Sequence, residues 1–324
     1  DPILSFLRVP EEVWGGMREY LLIIFAGLLA TSLYNFFSCL LRALGNSTVP
    51  LVFLAVSAIL NIAWDLLFVA VFHWGIAGAA YATIFAQYVS GIGILLYVLF
   101  RCRSLFPERK DLCFDGGILK EIAGLSSLTC LQQSVMNFGI LMVQGLVNSF
   151  GATTMAAFAA AVKIDTFAYL PVQDFGNAYS TFIAQNYGAG NKERIRRGTK
   201  ESFAISTAFS LVISALVFAF AAPLMQIFVS SAETAVIASG IRYLRIEGAF
   251  YFGIGCLFLL YGYYRAIKRA EMSVVLTVIS LGTRVLLAYV LSATFLGETG
   301  IWMAIPIGWI LADLTGLLYM RKTW

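Results

Sequence analysis

The sequence predicts an all-α polytopic membrane protein, on three observations. Of its 324 residues 60% are hydrophobic and only 12% charged, with a mean hydropathy of +0.83, whereas about a quarter of the residues of a soluble domain carry charge. The apolar residues form continuous runs, as membrane helices require, and do not alternate with polar ones as the strands of an outer-membrane barrel would. The cations collect in short segments between the runs, and all of these fall on one side of the membrane if the helices alternate in direction.

About 20 apolar residues cross the hydrocarbon core, so nine spans are expected, at 20–43, 48–72, 77–101, 119–149, 152–185, 201–229, 240–264, 271–296 and 299–321. The first ends at Arg42, and the second carries one charge, Asp65. Residues 102–118, with Arg103, Arg109 and Lys110, are polar and read as a cytoplasmic linker between residues 1–101 and 119–324. The fourth span places Gln133, Asn137, Gln144 and Asn148 on one stripe at 100° per residue, either lining a cavity or cross-linking helices. Pro171 and Gly176 weaken the fifth span where Asp174 and Asn177 also lie, predicting an irregular, hydrated segment. Lys163 and Asp165, two residues apart, cannot face each other and need separate partners. Lys192, Arg194, Arg196, Arg197 and Lys200 precede the sixth span, and Arg265, Lys268 and Arg269 follow the seventh. The eighth carries Arg284 and the ninth Asp313, before Arg321 and Lys322 at a C-terminus expected in the cytoplasm. Asp313 and Glu247 are candidate partners for Arg242, Arg245 or Arg284.

The basic segments set topology, and no nucleic-acid partner is expected. The five cysteines form no Cys-x-x-Cys pair and His73 is the only histidine, so neither zinc nor a disulfide framework is implied. Gly188-Ala189-Gly190-Asn191-Lys192 lacks the spacing of a phosphate loop. No enzyme is expected.

A weak internal repeat runs through the chain. A shift of 223 residues lays Tyr20 on Tyr243 and Arg42-Ala43 on Arg265-Ala266, and a shift of 225 lays Gly75-Ile76 on Gly300-Ile301. Such symmetry is typical of secondary transporters. The second copy has six spans and the first only three, so two pseudo-symmetric six-helix bundles are expected, with nine spans present of twelve and the first three absent. Within this repeat Asn61 and Asp65 fall opposite Arg284 and Ala288.

Asp65 is the first place to look for chemistry. An ionised aspartate near the bilayer centre costs about 2.5–3.5 kcal/mol on insertion scales and should face a protein interior or a watery cavity. Asn61, four residues earlier, shares its helical face.

Several motifs then coincide: Tyr34-Asn35-x-x-Ser38-x-x-x-Arg42-Ala43-x-Gly45-Asn46-Ser47-x-x-Pro50, Asn61-x-x-x-Asp65, Gly75-x-x-Gly78-Ala79-Ala80-x-Ala82-Thr83 and Gln87-x-x-Ser90. The second half adds Leu131-Gln132-Gln133-Ser134, Val143 to Gly151, Lys163-Ile164-Asp165-x-Phe167-Ala168-x-x-Pro171 and Gln185-Asn186-x-Gly188-Ala189-Gly190. Together they resemble the multidrug and toxic compound extrusion (MATE) family of cation-coupled exporters. The resemblance implies two lobes flanking an alternating-access cavity. It also implies a first-lobe cation site formed by Asn61, Asp65 and Thr83 with an aspartate of the absent first span. These are hard oxygen donors that suit sodium, and a desolvated carboxylate can carry a proton instead; the alternative is an interhelical hydrogen-bond cluster. Ser134 stands where some members carry a second-lobe glutamate. Tyr34, Asn35, Gln133, Asn137, Gln144, Asp165 and Arg284 are the candidate substrate-cavity residues. The expected protein is a monomeric antiporter of the bacterial inner membrane. It would export amphipathic or cationic organic compounds against sodium or protons, with no cofactor beyond the coupling ion; a lipid-linked oligosaccharide flippase of the same superfamily is the alternative.

Overall fold

The structure, a computed structural model, describes residues 11–103 and 113–323. Arg109, Lys110 and most of the expected linker lie outside them. Among the described residues the elements are α1 (Glu11–Ala26), α2 (Leu28–Ala43), α3 (Thr48–Asp65) continued by a π-helical segment (Leu66–Val71), α4 (Gly75–Arg101), α5 (Gly116–Asn148), α6 (Ala152–Gly188), α7 (Lys192–Phe228), α8 (Thr234–Gly248), α9 (Tyr251–Ala266), α10 (Ala270–Ser292) and α11 (Glu298–Thr323). Eight helices are long and apolar enough to cross a membrane, with α1 and α2 counted as one run from Trp14 to Ala43. The pair α8 and α9, bent by 51°, makes a ninth span.

Each expected span is present, and the differences lie at the ends. The helix expected from residue 201 begins at Lys192, where the Asn191 side chain accepts a hydrogen bond from the Arg194 N–H at 3.0 Å. Hydropathy marks where a helix enters hydrocarbon, whereas the cap marks where it starts. The irregular segment expected around Pro171 is absent, because α6 runs unbroken for 37 residues. Its buried face, with Ala168, Val172, Gly176 and Tyr179, is packed by neighbouring helices. At Gly176 a Cβ would sit 3.0 Å from the Phe258 carbonyl oxygen, so this glycine serves close approach to α9 and does not break the helix.

The chain divides into two compact units, Asp1–Phe114 and Asp115–Trp324. In the first, α2 and α3 both pack on α4. The Ser57 hydroxyl donates to the Ala86 carbonyl at 2.9 Å, and a Cβ on Gly91 would lie 2.6 Å from the Ala30 carbonyl oxygen. Gln87 fills the space beside Gly27, where α1 gives way to α2, and the Tyr88 hydroxyl donates to the Ala26 carbonyl at 3.0 Å. The Gln87-x-x-Ser90 motif is thus part of the seam that holds a broken helix.

In the second unit α6 is central, flanked by α7, α8 and α9, while α10 and α11 form a close pair with α5 against α10. Trp302, fully buried, stacks on Phe158 at 5.5 Å and meets the edge of Tyr243 at 4.9 Å. Glu298, opening α11, accepts from Thr154 of α6 at 2.9 Å and from Ser239 and Arg242 of α8 at 3.1 and 3.3 Å. Lys268, between α9 and α10, donates to Glu121 of α5 at 2.5 Å, and the carboxylate holds the ammonium above its usual range.

The 223-residue repeat recurs as geometry. After α2 the Gly45 N–H donates to the Arg42 carbonyl at 2.9 Å and the Asn46 N–H to that of Leu41 at 2.9 Å; after α9 the Lys268 N–H donates to Arg265 at 3.3 Å and the Arg269 N–H to Tyr264 at 2.9 Å. Gly45 and Lys268, equivalent in the repeat, both take the left-handed conformation, with φ of 87° and 61°. Both helix ends therefore close with the same αL turn. The breaks correspond too, since Gly27 is equivalent to Phe250, the residue between α8 and α9.

Gly45→Ala forces a Cβ into the left-handed region and is expected to cost about 1–2 kcal/mol, read as a lowered midpoint of thermal unfolding in detergent. Lys268→Gly, freed of the same strain, is expected to leave that midpoint unchanged or higher.

Candidate functional site

The break in the seventh span creates the most polar interior of the second unit. Glu247 lies in the last turn of α8 and Tyr251 opens α9, so the 51° bend brings both toward α6. There the Tyr251 hydroxyl donates to Oδ1 of Asp165, while Tyr243 and Glu247 stand beside the same carboxyl. Asp165 is 3% exposed and Glu247 6%. Arg284, half-buried on α10, is close enough for its charge to act on both.

The cluster is under-satisfied. Asp165 Oδ2, Glu247 Oε2 and Arg284 Nε are all buried without a hydrogen-bond partner, and each such group left dry costs about 1–3 kcal/mol. Two carboxylates and one guanidinium carry a net charge of −1 when all are ionised. Binding one monovalent cation neutralises the set.

In the first unit Asp65 is the last residue of α3, at the switch into the π-helical segment, a distortion often found at functional sites. Its carboxylate is half-buried and accepts no hydrogen bond among the described residues. Asn61 Nδ2 is buried without a partner. Thr83 on α4 donates to the Ala79 carbonyl at 3.0 Å, which leaves its oxygen lone pairs free to accept. The Ser57–Ala86 bond sets the antiparallel register of α3 on α4. At 1.5 Å per residue, Asn61 then lies level with Ala82 and Thr83, and Asp65 one turn further on.

The remaining candidates divide sharply. Tyr34 is committed to packing, since its hydroxyl donates to the Pro50 carbonyl at 2.9 Å, while Asn35 is exposed. Asp165, expected to line an open cavity, lies in the sealed interior among α6, α8 and α9. The polar stripe on α5 does not cross-link helices. Gln133 and Asn137 are exposed and line a shallow groove of about 630 Å³ with Ser126, Thr129 and Ser134; Gln144 donates to Asn148 on its own helix at 2.9 Å. Arg242 pairs with Glu298 at 3.3 Å, and Arg245 rests 5.3 Å over the Phe218 ring, so Glu247 serves neither. Asp313 is buried beside Cys256, with Oδ1 unpartnered. Lys163 finds the Phe228 ring at 5.7 Å. Sequence reasoning missed Tyr251 altogether. Tyr243 was marked by the repeat alone, and Glu247 was flagged only as an ion-pair partner. Among the described residues no three His, Cys, Asp or Glu side chains converge as a metal site.

Tyr251→Phe removes the phenol that Asp165 holds. A loss of about 1–3 kcal/mol is expected, measured by thermal unfolding, and Tyr88→Phe at its exposed hydrogen bond should lose less.

The family model described as MatE matches residues 1–67 and 128–290. Among curated relatives, the probable multidrug resistance protein YpnP of Bacillus subtilis (strain 168) is 33% identical over 98% of this chain and 71% of its own length. The probable multidrug resistance protein NorM of Thermotoga maritima is 28% identical over 97% and 68%. Among solved structures, a mutant of the Vibrio cholerae MATE transporter VcmN superposes with a TM-score of 0.92 at 23% identity, over 99% of this chain and 73% of that one.

Proposed function

The chain belongs to the MatE family of membrane transporters, and from that premise we propose that it exports amphipathic, cationic organic compounds in exchange for protons or sodium ions. The relatives named as multidrug resistance proteins support the substrate class. The observation that carries the coupling is the pair Asp165 and Glu247, both more than nine-tenths buried in membrane helices, each with an oxygen that has no partner. A net charge of −1 that one cation cancels is an arrangement whose loading and unloading changes the electrostatic cost of the interior. Asp65, with Asn61 and Thr83, is the second exchange site, built of the hard oxygen donors that bind sodium and of a carboxylate that can take a proton.

The basic residues in the first turns of α7, after α9 and in the last turn of α11 support a cytoplasmic location for those ends under the positive-inside rule. The protein works as a monomer in the bacterial inner membrane, with the coupling ion as its only inorganic partner. A flippase for anionic lipid-linked sugars calls for a surplus of buried cations, whereas Arg284 is outweighed here by Asp165 and Glu247.

Accumulation of a fluorescent organic cation in everted vesicles containing the protein, under an imposed proton or sodium gradient, tests this. Asp65→Asn and Glu247→Gln are each expected to cut gradient-driven accumulation at least tenfold while leaving the unfolding midpoint within a few degrees. Accumulation indifferent to both gradients rules antiport out, and wild-type rates in Asp65→Asn remove that residue from coupling.

A further inference from the structure

The open face of α6 carries an acid that the coupling chemistry does not use. Lys163, Phe167, Leu170, Asp174 and Asn177 are all exposed, and at 100° per residue they fall on one stripe about 80° wide, opposite the face that packs in the bundle. Counted at 1.5 Å per residue, Asp174 lies about 33 Å from the Ala152 end of α6 and about 21 Å from the Gly188 end. That is inside a hydrocarbon core of about 30 Å centred on the helix. Lipid tails cannot solvate a carboxylate, so this stripe faces water within the membrane and not lipid.

The other carboxylates of α5 and α6 are engaged. Glu121 is paired with Lys268 at 2.5 Å, and Asp165 is buried under the Tyr251 hydroxyl. Asp174 is exposed and, among the described residues, has neither a hydrogen bond nor an ion pair. The cations on either side of it are held elsewhere: Arg265 of α9 donates to the Tyr261 carbonyl at 3.2 Å and to Asn177 Oδ1 at 3.4 Å, while Lys163 rests 5.7 Å over the Phe228 ring. One turn before Asp174, Pro171 has no N–H, so the Phe167 carbonyl is deprived of its usual helical donor. Phe167 itself is 77% exposed and Leu170 43%. The stripe thus sets oxygen acceptors without donors beside an open ring and an open aliphatic side chain. The groove on α5 offers neutral polar groups only.

We propose that Asp174, Leu170 and Phe167 form the site that recognises the exported compound, a flat aromatic organic cation. The positive nitrogen lies against the Asp174 carboxylate and the rings lie along Leu170 onto Phe167. This rests on the reading that the protein exports organic cations, and it assigns charge recognition to a residue outside both exchange sites. Asp174 and Phe167 are seven residues apart, about 10 Å along the helix, a span that a fused tricyclic cation covers. A ring face attracts positive charge as well as apolar surface, and a mostly apolar surface with one well-placed polar group is the usual composition of a small-molecule site. One carboxylate and one carbonyl are too few oxygens to replace the ligand shell of a hard metal ion, whereas a cation with delocalised charge needs no such shell.

The test measures ethidium binding by fluorescence and ethidium transport in liposomes, with the full protein. Asp174→Asn is expected to weaken binding and raise KM about tenfold, the scale of one charge contact in a partly wet site. The maximal rate and the unfolding midpoint should stay unchanged, since Asp174 bonds to nothing in the fold. Asp174→Glu, which keeps the charge, is expected to retain the affinity, and Phe167→Ala to weaken it. Wild-type affinity in Asp174→Asn overturns the site, as does a fall in maximal rate at unchanged KM. A loss that Asp174→Glu shares in full also overturns it. Failure of the unmutated protein to bind ethidium overturns instead the reading that organic cations are exported. A structure of the unmutated protein with ethidium decides independently of any variant: ethidium lying from Asp174 to Phe167 supports the site, and ethidium bound elsewhere ends it.

Discussion

Everything in the second unit is arranged around one difficulty: two carboxyl groups must be kept inside a helical bundle that hydrocarbon surrounds. Water cannot satisfy them from outside, so partners have to come from other helices. A straight seventh span would carry Glu247 and Tyr251 on a regular helical surface. The bend after Gly248 turns Tyr251 onto Asp165 and leaves Glu247 beside the same carboxyl. Tyr243 reaches this point from the tight ring cluster with Phe158 and Trp302. Gly176, Gly248 and Gly255 allow α6, α7, α8 and α9 to pack closely around the cluster.

The two copies of the repeat share backbone solutions and differ in chemistry. Both close a helix with the same left-handed turn, once with Gly45 and once with Lys268, and both interrupt the preceding helix at equivalent residues. Yet Asn61 and Asp65 of the first copy stand where the second has Arg284 and Ala288, and Ala288 is fully buried, leaving no room for a carboxylate. The second unit draws its acids from α6, which the repeat of the last three spans does not reach, and from α8, where Glu247 is equivalent to Ile24 of the first copy. Backbone geometry recurs because turns and breaks depend on a few local residues, whereas an ionisable site depends on side chains gathered from several helices.

Much of the fold was legible in the residues. Nine apolar runs gave the spans, because crossing hydrocarbon sets a length that composition reveals directly. Helix ends were less legible: α7 begins at Lys192 inside a charged stretch, since capping by Asn191 needs no apolar residue. Pro171 and Gly176 suggested a break that packing removes, and the actual break fell at Gly248–Phe250, where no proline marks it. Tyr34 and Asp165 looked alike as polar residues in apolar helices, and only neighbours separated a structural hydrogen bond to Pro50 from a sealed acid cluster.

The sequence by itself determined that the chain is a bundle of membrane helices, where those helices cross, that part of the bundle is repeated, and that Asp65 is out of place in an apolar span. These properties depend on composition and on residues close together along the chain. Only the tertiary structure decided that Asp165, Glu247, Tyr251 and Arg284 form one cluster. Those groups lie on α6 to α10 and meet through packing, and the energetic cost of a polar atom left without a partner exists only once its surroundings are in place.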